Sequence, residues 1–348
     1  MKRNYGIDLL RLVSMFMVCV LHTIGQGGVL ESCKEGTIEY AAYYLLGAAC
    51  YCAVDVFALI SGYVATQRRR DHSKLVNMWF QVFFYSIVLT LILSAFSIGK
   101  RPGMKEFAID FFPVISKYYW YFTAYFALYF AMPVLNRFIF SADENTAKRT
   151  LTLIFVVYTV IGLIKDPFAT DKGYSAIWLM VLYCAGGLAK QAKIFEKKKT
   201  FVLILMWLGC LLTMWAVNIF TNTGILLRYS SPTVLLSALL LLVVFSRLEL
   251  KGTVIRKLSP LAFGIYLFQG NRIIWNYVLK DSAKFVTDMN IFVGLLCALG
   301  VAVIIFVSGL AAEYLRTLLF RLLKISKLSR KLAAAADKVI GKVSCVFN

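Results

Sequence analysis

Residues 6–25, GIDLLRLVSMFMVCVLHTIG, place three ionisable side chains, Asp8, Arg11 and His22, in a run otherwise long and apolar enough to cross a bilayer. Ionisable groups inside a membrane span are costly, so each is a candidate functional residue. The eleven-residue step from Arg11 to His22 is about three helical turns, roughly 16 Å along one face. Cation and imidazole therefore share a stripe. Asp8 stands one turn before Arg11, where a carboxylate can hold a guanidinium in place.

Outward from this span the composition keeps the same character. Of 348 residues 60% are hydrophobic and 16% charged, with a mean hydropathy of +0.74, which points to lipid as the solvent. A net charge of +20 is a feature shared with nucleic-acid binders, but the basic residues sit in short clusters between apolar runs, as the positive-inside rule requires. Nucleic-acid binding is set aside on that pattern. Eight cysteines are scattered without a CxxC pair or metal-ligand spacing, so they read as small buried residues and no metal is expected. Lys2 and Arg3 imitate a signal peptide, but no small-residue cleavage site follows, so the first span is expected to be retained.

Further apolar runs fall at about 40–66, 75–98, 118–137, 150–164, 174–190, 201–220, 230–246, 258–279 and 289–312. The expected fold is all-α: a polytopic membrane bundle of about ten transmembrane helices with both termini in the cytoplasm, which puts most lysines and arginines inside. Residues 1–315 read as one integral-membrane unit and 316–348 as a basic cytoplasmic tail, topogenic or folded as an amphipathic surface helix. The connecting loops are too short for a soluble domain. Chemistry must occur inside the bundle or at its mouths.

Three spans carry the remaining polar candidates. The second has Asp55 at membrane depth, then Ser61, Gly62 and Tyr63 towards the basic stop Arg68, Arg69 and Arg70. Asp55 suits either a structural ion pair or the orientation of an imidazole, and Gly62 a close helix approach. The ninth contributes Gln269, Asn271 and Arg272, of which Arg272 needs an anionic partner, with Asp55 or a substrate group as the options. His72, in RRRDHSK, reads as a solvated loop residue. His22 is then the one histidine expected inside the membrane, and histidine is the side chain best suited to proton exchange near neutral pH.

These residues carry a family resemblance. Residues 8–22, DLLRLVSMFMVCVLH, resemble the Asp, two residues, Arg, ten residues, His signature of the acyltransferase-3 family of integral-membrane acyltransferases. Residues 54–64, VDVFALISGYV, resemble its second-span motif, in which Asp and Phe precede Ser-Gly-Tyr. The likeness continues through KLVNMWFQVFFYS, YYWYFTAYFALYFAMPVLN, GYSAIWLMVLY and SPLAFGIYLF, in order over most of the chain, and is closest to the branch that O-acetylates bacterial surface polysaccharides.

The resemblance implies transfer of an acyl group, usually acetyl from acetyl-CoA, to a hydroxyl of a cell-envelope glycan at the bacterial cytoplasmic membrane. It implies His22 as catalytic base, Arg11 as an acyl-CoA contact, and Ser61, Tyr63, Arg68 and Arg69 at the donor's entrance; Asp55, from its depth in the second span, is grouped with His22 as a catalytic candidate. Gln269, Asn271 and Arg272 are expected at the acceptor or oxyanion. Many relatives have a second His where this chain has Gln269, and Gln cannot act as a base. A transporter or flippase of a polar envelope intermediate would use the same polar lining, and a noncatalytic membrane module would need no turnover. Consumption of a labelled acyl-CoA separates the three.

Overall fold

The computed structural model describes residues 3–67, 71–99, 103–115 and 118–344, with side chains of the last helix described as far as residue 339. Among these residues every regular element is a helix. Eight helical runs are long and apolar enough to cross a membrane. In chain order the elements used below are α1 (Tyr5–Ile24), α2 (Ile38–Cys50), α3 (Ala53–Tyr63) and α4 (Ser73–Ala95), then a short surface helix, α5 (Met104–Asp110). There follow α6 (Trp120–Ser141), α7 (Glu144–Lys165), α8 (Ala176–Gln191), α9 (Thr200–Thr221) and α10 (Pro232–Ser246). The chain closes with α11 (Thr253–Leu258), α12 (Ala262–Gln269), α13 (Ile291–Leu322) and α14 (Ile325–Ser344).

The first span is the hub. Asn4 caps α1, its Oδ1 accepting from the N–H groups of Gly6 and Ile7 at 2.8 and 3.2 Å. From there α1 packs on α13, α3, α10, α2 and α12, so most of its faces meet protein. Small residues let the neighbouring helices close in. A Cβ on Gly62 of α3 would strike the Tyr183 carbonyl of α8, and one on Gly186 of α8 would strike that of Leu59. The close helix approach expected at Gly62 is thus what the backbone shows.

Two of the ten expected spans take another form. Residues 174–190 become α8, 16 residues long and buried along most of its length. At 1.5 Å per residue it spans about 24 Å, short of the roughly 30 Å hydrocarbon core, and it is surrounded by other helices. Residues 258–279 are broken: a 3₁₀ turn at Ser259–Leu261, α12, a break at Gly270 and Asn271, and a π turn at Ile274–Leu279. Irregular backbone at such depth requires partners for its freed groups. Asn271 supplies them, its Oδ1 accepting from Ile273 and Ile274 N–H at 2.9 and 3.3 Å. Its Nδ2 donates to Tyr85 O and Thr90 Oγ1 of α4 at 2.8 and 2.9 Å.

The expected boundary at 315/316 falls inside α13, which continues to Leu322. Arg316, placed in the tail by sequence, is buried and forms a two-pronged ion pair with Glu313, Nη2 to Oε1 at 2.6 Å and Nε to Oε2 at 2.8 Å. Gln81 and Tyr85 of α4 also donate to Glu313, at 3.0 and 2.9 Å. Beyond it, α14 is an amphipathic helix packed on α4.

Candidate active site

Two cavities lie end to end inside the bundle. The larger, about 430 Å³, is lined by His22, Gln26, Tyr51, Trp120, Tyr174, Tyr229 and Trp275 among others, towards the end of the bundle where α1 finishes. The smaller, about 270 Å³, lies towards the opposite, basic end and is lined by Ser61, Lys74, Asn77 and Gln81. Phe57, Tyr121 and Phe263 belong to the walls of both. These three rings stand between the two chambers.

His22 sits in the last turn of α1, and its ring is held from two directions. Nδ1 lies 2.9 Å from Gln269 Oε1, while Gln269 Nε2 faces the Met15 thioether at 3.8 Å. With the amide oxygen as acceptor, Nδ1 carries the proton and Nε2 keeps its lone pair. The Trp275 ring meets the imidazole edge-on, centroids 4.8 Å apart at 89°. Trp275 is set in turn by Gln26, whose Nε2 donates to its carbonyl at 3.1 Å. The loop after α1 is pinned to the loop after the π turn by Asp281 N–H to Gln26 O and Ala283 N–H to Gly27 O, at 3.1 and 3.0 Å. Gly28 lies there at φ +83° against Asp281, a position that needs glycine for both conformation and space.

The other expected residues separate into those that reach this site and those that do not. Asp55 is fully buried but accepts from Trp178 Nε1 at 3.1 Å and does not line the cavity. The group that orients the imidazole is Gln269, because α12 presents it to α1 whereas α3 turns Asp55 towards α8. Arg272 does not pair with Asp55 either. It binds Asp110 and Glu106 of α5 at 3.1 and 3.3 Å, with its guanidinium 5.2 Å from the Tyr118 ring centroid. Asn271 spends its amide on the break after α12. Of the three residues expected at the acceptor, Gln269 alone reaches His22.

On the basic side, Arg11 Nη1 binds Asp8 Oδ1 at 3.0 Å, as its spacing predicts, and its side chain stays 28% exposed. Asp8 also pairs with Arg3 and accepts from Ser259 Oγ at 3.1 Å. Arg11 lines neither cavity, but it lies near Tyr125, which does line the smaller one. Ser61 lines that chamber while its hydroxyl donates to Phe57 O at 3.2 Å. Tyr63 lies outside it, with Lys190 Nζ 3.2 Å from its carbonyl and 5.2 Å from its ring centroid. Arg68 and Arg69 lie outside the described residues. His72 is half-exposed as expected, yet Tyr129 Oη lies 3.2 Å from its Nδ1 and Asp337 of α14 3.9 Å from its Nε2.

Sequence reasoning missed Trp275, Trp178, Lys74, Asn77 and the aromatic mouth. At that mouth Trp120 stacks on Tyr229 at 18° and 6.2 Å, with Tyr174 4.7 Å from Trp120 and 5.1 Å from Tyr229. Trp120 and Tyr174 fall within stretches singled out only for continuing the family resemblance. Tyr229 sits in a loop without any pattern. Tyr121 has a buried hydroxyl with no hydrogen-bond partner among the described residues, in the wall shared by both chambers.

A histidine with Nδ1 committed to Gln269, in the wall of a chamber that shares three lining residues with a second one, suits proton transfer between two substrates. A family model described as an acyltransferase domain, acyltransferase-3, matches residues 4–309. The chain belongs to that family. No curated protein and no solved structure matches it. The protein is thus a multi-pass membrane acyltransferase, and the matched region takes in α1 to most of α13, both chambers included.

Proposed function

We propose that this acyltransferase moves an acetyl group from cytoplasmic acetyl-CoA to a hydroxyl of a cell-envelope glycan, at the cytoplasmic membrane of a bacterium, with His22 as general base. The observation that carries this reading is the His22–Gln269 contact at 2.9 Å, which leaves Nε2 as the basic nitrogen of a ring lining the larger chamber. The acceptor hydroxyl gives its proton to Nε2 as its oxygen attacks the thioester carbonyl carbon. The carbon–sulfur bond then breaks, and the leaving thiolate takes the proton back from the imidazolium.

The supporting features lie on either side of this step. Lys74, Asn77 and Ser61 give the smaller chamber a polar, cationic mouth for the phosphorylated donor, and Arg11 adds charge nearby. The thin arm of the donor would pass Phe57, Tyr121 and Phe263 to bring the thioester to the shared wall. There the unpartnered Tyr121 hydroxyl suits the developing oxyanion. At the far mouth, Trp120, Tyr174 and Tyr229 offer apolar ring faces and hydroxyls, the mixture that suits a sugar ring.

The test is His22→Gln in purified protein supplied with labelled acetyl-CoA and glycan. Gln keeps a hydrogen-bonding amide but cannot take the acceptor proton. Turnover should fall by about 10²–10⁴-fold with donor binding retained. Near-normal turnover would remove His22 as the base, and transport of a glycan without thioester consumption would replace the whole reading.

A further inference from the structure

A third cavity, about 690 Å³, shares no lining residue with the two chambers and lies at the basic end between α7 and α9. Its size is within the range of about 300–1,000 Å³ usual for ligand pockets. Its floor is α10: Leu239 is buried, while Leu236 keeps partial exposure midway along a helix whose neighbouring residues are mostly covered. Phe155 of α7 and Met206 of α9 form the facing walls. The slot is therefore apolar in depth and unfilled by protein.

The rim has the opposite character. Lys148, Lys193, Lys197 and Lys198 line it with Glu144 and Glu196, so the mouth keeps a surplus of positive charge. Glu144 is engaged by Lys148 at 2.6 Å and Lys193 at 3.2 Å, whereas Lys197 and Lys198 are exposed on the loop that leads into α9. Arg247 braces that loop, donating to the carbonyls of Phe195 and Lys198 at 2.7 and 2.8 Å. The N-terminus of α9 has no side-chain cap, so the positive end of a 22-residue helix dipole adds to the same rim.

We infer that this cleft binds one anionic glycerophospholipid of the leaflet at the basic end, its phosphate at Lys197 and Lys198 and one acyl chain in the slot between α7 and α9. Charge selects the headgroup, because a basic pocket between membrane helices attracts an anionic one and a zwitterionic one gains little. The slot selects an amphiphile over a free phosphate. Bound lipid fills a gap between two helices that otherwise rest separately on α10, and binding to the folded state alone raises stability.

The experiment is thermal unfolding of the full-length protein in a neutral detergent, titrated with dioleoylphosphatidylglycerol, dioleoylphosphatidylcholine or soluble glycerophosphoglycerol. Saturable stabilisation is expected from the first alone. Lys197→Ala with Lys198→Ala should move its midpoint to about 10–30-fold higher lipid. Leu236→Trp, which fills the slot, should abolish the saturable response. If that variant does not fold, the double lysine variant, altered only on an exposed loop, decides the matter. An unchanged midpoint in the lysine variant, or equal stabilisation by phosphatidylcholine, overturns the site. Equal stabilisation by glycerophosphoglycerol overturns the lipid and leaves a phosphate site.

Discussion

In the proposed reaction His22 does not act through its own chemistry alone, because the tautomer the reaction needs depends on Gln269. Gln269→Leu keeps the side chain's bulk but removes the acceptor for Nδ1–H, so the ring is free to adopt the other tautomer or rotate. Turnover should fall at least about tenfold, with little change in either KM, since neither substrate touches Gln269 in the proposed arrangement. An equal rise in acceptor KM instead would place Gln269 in direct substrate contact. Tyr121→Phe removes a hydroxyl that has no partner among the described residues, so the variant should be as stable as the parent. Loss of a donor to an oxyanion costs about 10²–10³-fold in kcat, and assay of the folded variant checks it. His22 and Arg11 could be picked out from sequence because ionisable residues are conspicuous in an apolar run. Gln269 was singled out too, but not as the partner of His22, from which it lies 247 positions away, and Trp275 looks like any aromatic in a span.

At the scale of elements, most spans were legible because burial in lipid demands long apolar runs, and eight of them form helices that long. What could not be read was the broken segment around Gln269, whose hydropathy is that of an unbroken span. Its geometry comes from Asn271 binding α4 and from Arg272 reaching α5, both contacts distant in sequence. Arg272 was expected to find Asp55 or a substrate group, whereas its partners are Glu106 and Asp110 of α5, which sequence did not single out. The resulting clamp makes a pH prediction. Burial pushes the Asp110 carboxyl up, against the pull of the Arg272 guanidinium beside it. A carboxyl that holds its proton more tightly when folded contributes stability that is complete below the ordinary value of about 4 and is lost as pH rises through the folded value. Asp110→Asn lacks this limb. The Tm of the parent should therefore decline relative to Asp110→Asn as pH is raised from 4 to 7, and a constant difference would show that Asp110 titrates normally.

Across the whole molecule, the proposed arrangement gives each substrate its own chamber at a different end, and kinetics can read that assignment. Trp120→Ala, at the mouth beyond His22, should raise the acceptor KM several-fold and leave the donor KM unchanged. Steady-state kinetics with both substrates varied measures each, and a raised donor KM would reverse the assignment. Between the mouths stand Phe57, Tyr121 and Phe263. A protein open from end to end would let ions follow its substrates and run down the gradient across the membrane that holds it. In the proposed reaction these three residues, common to both walls, let an acyl group be handed over while the two aqueous phases stay electrically separate, so the bilayer remains an insulator during each turnover.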